Sequence, residues 1–273
     1  MCLLFFSYQK TPGYKLVLAG NRDEFLCRPT ASLDFLDKER KILAGRDLQG
    51  GGTWLGITAQ LKFAAITNYR ESAKKNAGAP SRGEILLNYL TGERDACNYV
   101  HSLAENGDKY NGFNLIIGDS ENLYYYTNKS DGPKILTPGF YGLSNHLLDV
   151  PWPKVVRGKN LLYQDMVNTD RLDPMQLFSL LEDTKKPTDD QLPDTGIGLE
   201  WERLLSTIFI DGNTYGTRSS AVISVSDSGD VQFIEKSIKR SSSQGITSEF
   251  IHHSIKGSSR LSSPPHRVSD LSV

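Results

Sequence analysis

The residues with the most chemical potential are Cys2 and the polar run Asn21-Arg22-Asp23-Glu24. A cysteine in second position becomes the amino terminus once the initiator methionine is removed, which is usual ahead of a small residue. It then carries a nucleophile and a base on one residue. An α-amine titrates near pH ~7.7–8.0 and can take the proton of its own side chain. The thiol starts near pKa ~8.5, and a neighbouring cation raises its thiolate fraction. Position alone favours the plainer reading, a packed strand cysteine, because free cysteines are commonly buried and inert. The run 21–24 also has a plain reading, a solvated turn after the apolar stretch YKLVLAG. If 2–7 and 14–20 pair as a hairpin, however, the end of one strand lies beside the start of the other. Arg22 then stands next to Cys2 to stabilise a thiolate or bind an anion, and Asp23 can accept hydrogen bonds from the α-amine.

The elements around these residues support such a pairing. CLLFFS (2–7) and YKLVLAG (14–20) flank QKTPG, so Pro12-Gly13 predicts the turn of a β-hairpin. After the triple glycine at 50–52, strands are expected over 54–58 and 61–67, giving four consecutive strands in one antiparallel sheet. Helices are expected after Pro80, where Ser81 and Glu84 have capping-box spacing, and over 94–105, with Cys97, Val100, His101 and Ala104 on one face. Further helices are expected over 154–167 and after Pro174, which suits a first helical turn. FNLIIGD (113–119) and NLYYYTN (122–128) predict a second hairpin, and a strand pair turned at 227–230 closes the domain. Strands grouped with strands and helices with helices indicate α+β and argue against a Rossmann sheet.

One domain is therefore expected over 1–240. Of the last 33 residues one third are serine, and Pro264-Pro265 breaks any period. That stretch, 241–273, reads as a disordered tail dispensable for the fold.

Composition narrows the function. Thirty-one basic residues balance 32 acidic ones, a formal charge of -1, so nothing marks a nucleic-acid partner. The glycines at 50–52 are not a dinucleotide fingerprint, and no P-loop lysine follows them. Three cysteines, Cys2, Cys27 and Cys97, show no paired spacing and predict neither a disulfide framework nor a zinc site. No window approaches the length of a membrane span. His146 is placed to approach a pocket beside Asn145, whereas His252-His253 reads as solvated.

MCLLFF, LAGNRDEF followed by RPT, GGTWLGI, AAITNYR, YNGFNLIIGD, TPGFYGLSNHLLDVPWPKV and YGTRSSAVI together resemble the NRDE family of transport and Golgi organisation proteins, in the family's order from residue 1 to about 240. The resemblance implies an N-terminal-nucleophile-hydrolase-like fold, an αββα sandwich of two antiparallel sheets between helix layers. It implies Cys2 as nucleophile with Arg22 and Asp23 beside it, Asn68 and Asn145 as oxyanion donors, and Arg218 as the remote arginine that closes the charge network. Ala221 departs from the pattern, which carries a hydroxyl there. Three functions follow as expectations. The first is an amidase or acyltransferase at a non-peptide C–N bond. The second is a non-catalytic carrier of lipid, acyl-CoA or haem. The third is an interaction module working through the tail. No cofactor is required, haem being a candidate cargo, and the partner expected is a small molecule: acyl, lipid or haem. The family's associations imply a cytoplasmic protein linked to Golgi organisation, secretion and lipid homeostasis, with Golgi or mitochondrial association.

Overall fold

The computed structural model describes residues 2–37, 42–71, 76–167, 171–241 and 245–257. Strand β1 (Cys2–Thr11) returns through Pro12-Gly13 into β2 (Tyr14–Phe25). Gly13 sits at φ +79, the conformation a type II turn demands of the residue after its proline. The hairpin anticipated from the sequence is present. Its apolar runs are continuous because the strand is buried on both faces. Cys2, Leu4 and Phe6 belong to one core, while Leu3 and Phe5 belong to another, the alternation that a period of two requires.

Two antiparallel sheets result. The first has the order β10 (Gly139–Leu143), β1, β2, β11 (Tyr215–Ser226), β12 (Val231–Ser241), β13 (Gly245–Ile255). The second runs β3 (Thr30–Asp37), β4 (Ile42–Asp47), β5 (Leu55–Ile57), β6 (Phe63–Asn68), β7 (Phe113–Gly118), β8 (Leu123–Thr127), β9 (Lys134–Ile135). One core lies between the sheets and continues under α1 (Gly83–Thr91) and α2 (Ala96–Ala104) on the outer face of the second sheet. The other lies between the first sheet and α3 (Pro153–Val167) and α4 (Pro174–Leu181). The molecule is thus an αββα sandwich. A Cβ built on Gly158 in α3 would lie 2.0 Å from the Phe5 ring, so the helix rides directly on β1.

Several expectations need correction. The strands 54–58 and 61–67 do not continue the first hairpin's sheet; they pair within the second sheet, together with β3 and β4, which the sequence reading did not mark. β3 is an edge strand carrying Asp34, and charge on an edge discourages stray pairing; it also hides the strand pattern. Ser81 and Glu84 form no capping box: α1 has no side-chain cap, and Glu84 instead accepts from Tyr110 at 2.8 Å. In α2 it is Ala96 and Val100 that are buried, while Cys97 and His101 are exposed.

The largest correction concerns the tail. Residues 245–255 are not disordered: β13 pairs with β12 from Ser241↔Gly245 to Val231↔Ile255. Ile255 is buried in the inter-sheet core, and Phe250 stacks edge-on against Phe178 at 5.1 Å. The remaining tail, 258–273, lies outside the described residues. Among the described residues no helix is long and apolar enough to cross a membrane.

Truncation after Ser241 is therefore expected to destabilise the domain. Loss of the Ile255 and Phe250 contacts costs about 3 kcal/mol, or roughly 6–12 °C in Tm for a chain of this size. A calorimetric Tm within ~2 °C of the full chain would show that β13 contributes nothing to the fold.

Candidate active site

The register of the first hairpin sets Cys2 directly opposite Arg22, and directly paired residues of an antiparallel ladder project to the same face. Both point between the sheets, where Arg22 spans to the second sheet. Its guanidinium donates to Thr30 Oγ1 at 3.1 Å and to Asp47 Oδ2 at 3.4 Å. Asp47 in turn holds Arg28 Nε at 2.7 Å. The run 21–24 is thus strand, not turn, and its polarity is explained by long-range partners. Asn21, facing the helix layer, donates to the carbonyls of Leu181 and Ile208, each at 2.9 Å, and accepts from Ser220 at 2.7 Å. It clamps α4 and the 208 segment to the sheet.

Asp23 lies one step past Arg22, on the side toward which the Cys2 nitrogen leads. Thr217 Oγ1 donates to its carboxylate at 2.8 Å. Burial raises its pKa, opposed by the positive charge of Lys154. Cys2 is 7% exposed, and burial pushes the thiol up to about 11, against the pull of the positive amino terminus and of Arg22. With Met1 in place the thiol is therefore held protonated at neutral pH.

Cys2, Arg22, Asp23, Asn68 and Arg218 all line one cleft of about 1100 Å³ at the end of the two sheets. Asn145 stands behind its wall. It is 1% exposed, and its Nδ2 donates to the Asn68 carbonyl at 3.0 Å and at 3.5 Å to the Cys2 carbonyl. It ties β6 to the start of β1. Arg218 Nη1 donates to the carbonyls of Phe25, Leu26 and Arg28 at 2.9, 2.9 and 3.0 Å, which fixes the loop following β2. His146 takes no part in the lining; its Nε2 pairs with the Tyr69 hydroxyl at 2.9 Å, and its ring lies 5.8 Å from Trp152. Ala221 is buried between the sheets, away from the cleft. Cys27 and Cys97 are exposed.

The sequence reading missed a buried charge network beside this site. Arg70, two residues after Asn68, donates to Glu202 Oε2 at 2.7 Å, and both side chains are 4% exposed. The other carboxylate oxygen of Glu202 accepts from Thr195 N at 2.9 Å and Oγ1 at 2.5 Å. Arg70 lies over Trp152 at 4.7 Å, and its Nε and Nη2 have no hydrogen-bond partner among the described residues. Lys154 Nζ donates to the Leu205 carbonyl at 2.8 Å. Burial and repulsion from Arg70 bring its pKa down to about 7, with Asp23 and Glu202 opposing. A signal for Lys154 was available: it precedes Gly158, Leu162 and Met166 by four, eight and twelve residues and so shares the inward face of α3. Nothing local marks Glu202. Arg82 was also missed. It lines the cleft and donates from Nη1 to the Gly112 carbonyl at 2.9 Å.

The architecture is that of the N-terminal-nucleophile hydrolases. Penicillin V acylase from Agrobacterium tumefaciens superimposes with a TM-score of 0.51 at 12% identity, over 91% of this chain and 85% of that one. A Caenorhabditis elegans N-acylethanolamine-hydrolyzing acid amidase ortholog gives 0.51 at 11%, over 81% and 92%. At such identities the likeness is one of fold. By sequence the chain belongs to the Transport and Golgi organisation 2 family, whose model matches residues 1–240. It is 38% identical to the human Transport and Golgi organization protein 2 homolog and 36% identical to the mouse homolog, in both cases over 87% of this chain and 93% of the relative. The Drosophila melanogaster Transport and Golgi organization protein 2 is 30% identical over 87% and 92%. Strand β13 lies beyond the matched span.

Lys154 makes stability depend on pH in a definite direction. Its folded pKa, about 7, lies below its ordinary value of 10.5. Between these values the unfolded chain binds a proton that the folded one does not, so stability rises with pH across that window. Lys154→Met removes this term. Urea unfolding from pH 7 to 10 is expected to show the variant's stability relative to wild type falling as pH rises, by up to roughly 5 kcal/mol over the full window. Parallel stability curves would mean that the lysine is protonated in both states.

Proposed function

We propose that the protein, with Met1 removed, is a cysteine N-terminal-nucleophile amidase or acyltransferase acting on a small N-acyl compound. The observation that carries this reading is the Cys2↔Arg22 register, which sets a thiol beside a cation in a cleft of about 1100 Å³ that Asp23 also lines. Removal of Met1 converts the Cys2 nitrogen from an amide into an amine beside the Asp23 carboxylate. Asp23 orients that amine, which takes the thiol proton. The sulfur attacks the amide carbon, forming a C–S bond while the carbonyl oxygen becomes an oxyanion. Asn68, on the cleft wall, donates to it, and Asn145 keeps Asn68 and Cys2 in register. Collapse breaks the C–N bond, and the α-ammonium returns its proton to the leaving amine. Water or a second amine then attacks the thioester and gives its proton to the α-amine; the C–S bond breaks, releasing the acid or new amide, and the α-ammonium returns the proton to the Cys2 sulfur. Arg22 stabilises the thiolate, and Arg218 holds the 25–28 carbonyls that shape the rim.

The carrier reading keeps one observation in its favour. Phe25 and Trp201 are 48% and 39% exposed on the cleft rim, a surface suited to a lipid, the acyl chain of an acyl-CoA, or haem. It needs no ionised thiol.

The two readings separate on turnover. Purified protein whose intact mass shows Met1 removed is expected to hydrolyse N-acyl amides. Cys2→Ala should abolish turnover, and Asp23→Asn should lower kcat by about 10²–10⁴-fold. Tm increases with acyl compounds or haem, without turnover of any amide by the processed protein, would leave the carrier reading.

A further inference from the structure

The cleft is lined by seven basic and five acidic side chains, and the acidic ones are already engaged. Asp47 holds Arg28 and Arg22 at 2.7 and 3.4 Å. Glu71 holds Lys129 at 2.7 Å, and Glu235 accepts from Leu33 N at 3.0 Å and Ser237 at 3.1 Å. Glu24 accepts from Phe25 N at 2.9 Å, and Asp23 from Thr217 at 2.8 Å. Among the described residues Arg46, Arg82 and Arg218 form no ion pair. Arg46 is exposed and Arg218 holds the carbonyls of Phe25, Leu26 and Arg28, whereas Arg82 is half-buried and its hydrogen bond runs from Nη1 to the Gly112 carbonyl. The remainder of the guanidinium, with its fork of donors, is free for a carboxylate.

Arg82 is also held in place. It directly precedes α1, whose first residue, Gly83, lies so close to Gly52 that a Cβ on Gly52 would meet the Gly83 carbonyl carbon at 2.4 Å. Backbone contact on one side and Gly112 on the other fix where the guanidinium stands, so little freedom is lost when it binds. Arg82 lines the same cleft as Cys2 and Glu24; burial lowers its pKa, and those two groups oppose the fall.

A second wall of the cleft is apolar. Tyr215 packs edge-on against both Phe25, at 5.2 Å, and Trp201, at 5.8 Å, with Ile197 and Leu205 beside them. An amide carbonyl placed at Cys2 thus meets an apolar surface and a free cation on different walls. Resting on the acyl-transfer reading above, we infer that Arg82 reads an anionic group on the amine half of the substrate, which makes N-acyl amino acids the class of amide that fits.

Two measurements test this on the full chain with Met1 removed, in a Cys27→Ser/Cys97→Ser background that leaves Cys2 as the alkylation site. The first is the ratio of Cys2 alkylation rates by iodoacetate and by iodoacetamide, reagents of similar size and different charge. A change in thiolate fraction affects both rates and cancels in the ratio. Arg82→Gln is expected to lower the ratio roughly tenfold and Arg82→Lys to retain most of it. Should the Gln variant fail to fold, the wild-type ratio should fall with added sodium chloride as the cation is screened. A ratio that responds to neither overturns the inference. The second compares kcat/KM for an N-acylglycine and the N-acylethanolamine of the same chain. The glycine conjugate should be preferred by about tenfold, and Arg82→Gln should erase the preference. Turnover of both without preference overturns the substrate class. Turnover of neither, with the alkylation ratio still falling, overturns the acyl-transfer reading and leaves the anion site standing.

Discussion

The pairing of Cys2 with Arg22 is the constraint on which the rest of the site depends. It fixes which face of β1 the sulfur occupies, since a slip of one residue would turn Cys2 toward the helix layer. The register is enforced from both sides: Leu4 and Phe6 must enter the inter-sheet core while Leu3 and Phe5 must enter the core under α3 and α4. It is enforced again by Arg22, whose guanidinium reaches Thr30 and Asp47 in the opposing sheet. The same residue that lies beside the thiol therefore cross-links the two sheets along the cleft.

Around that pair the protein buries charge at a cost. A buried ion pair such as Arg70–Glu202 rarely exceeds an apolar substitute in stability, though loss of one partner is severe. Here the pair is joined by Lys154, held near neutrality, and by Asp23, whose carboxyl is raised by burial. Such an arrangement concentrates polar groups where the nitrogen of Cys2 points, and perturbed groups of this kind cluster at functional sites more often than in ordinary cores. Asn21 and Asn145 serve the same end by hydrogen bonds to distant carbonyls, Leu181 and Ile208 in one case and Asn68 in the other.

Much of this was legible in the sequence, and what was not has physical reasons. The first hairpin follows from two apolar runs and a Pro-Gly turn. Asn21 through Glu24 read as a turn because their partners, Leu181, Ile208, Ser220 and Thr217, are distant in the chain; a sequence shows polarity but not what satisfies it. The division into two sheets was hidden by the acidic edge strand β3 and the short, glycine-bearing β4. The tail was misjudged on its average: serine enrichment over 241–273 obscured ITSEFIHHSI, whose Ile251, His253 and Ile255 share one face of β13. Arg70 and Lys154 stood inside motifs already singled out, yet neither was given a role there, because the partners that define one, Glu202 and Leu205, lie far along the chain. Arg82 stood outside those motifs and lacked a local pattern altogether.

The central claim is that burial keeps the thiol protonated until the Cys2 amine is exposed, and that this amine then supplies the base. The direct test is the pH dependence of Cys2 alkylation, compared between protein beginning at Cys2 and protein in which an N-terminal extension retains Met1. In the extended form the rate should rise with a midpoint near pH 11, the value to which burial pushes the thiol. In the processed form the midpoint should fall toward that of the α-amine, roughly pH 8. Coincident profiles would contradict the account, because Cys2 would then behave as a packed strand cysteine whatever precedes it.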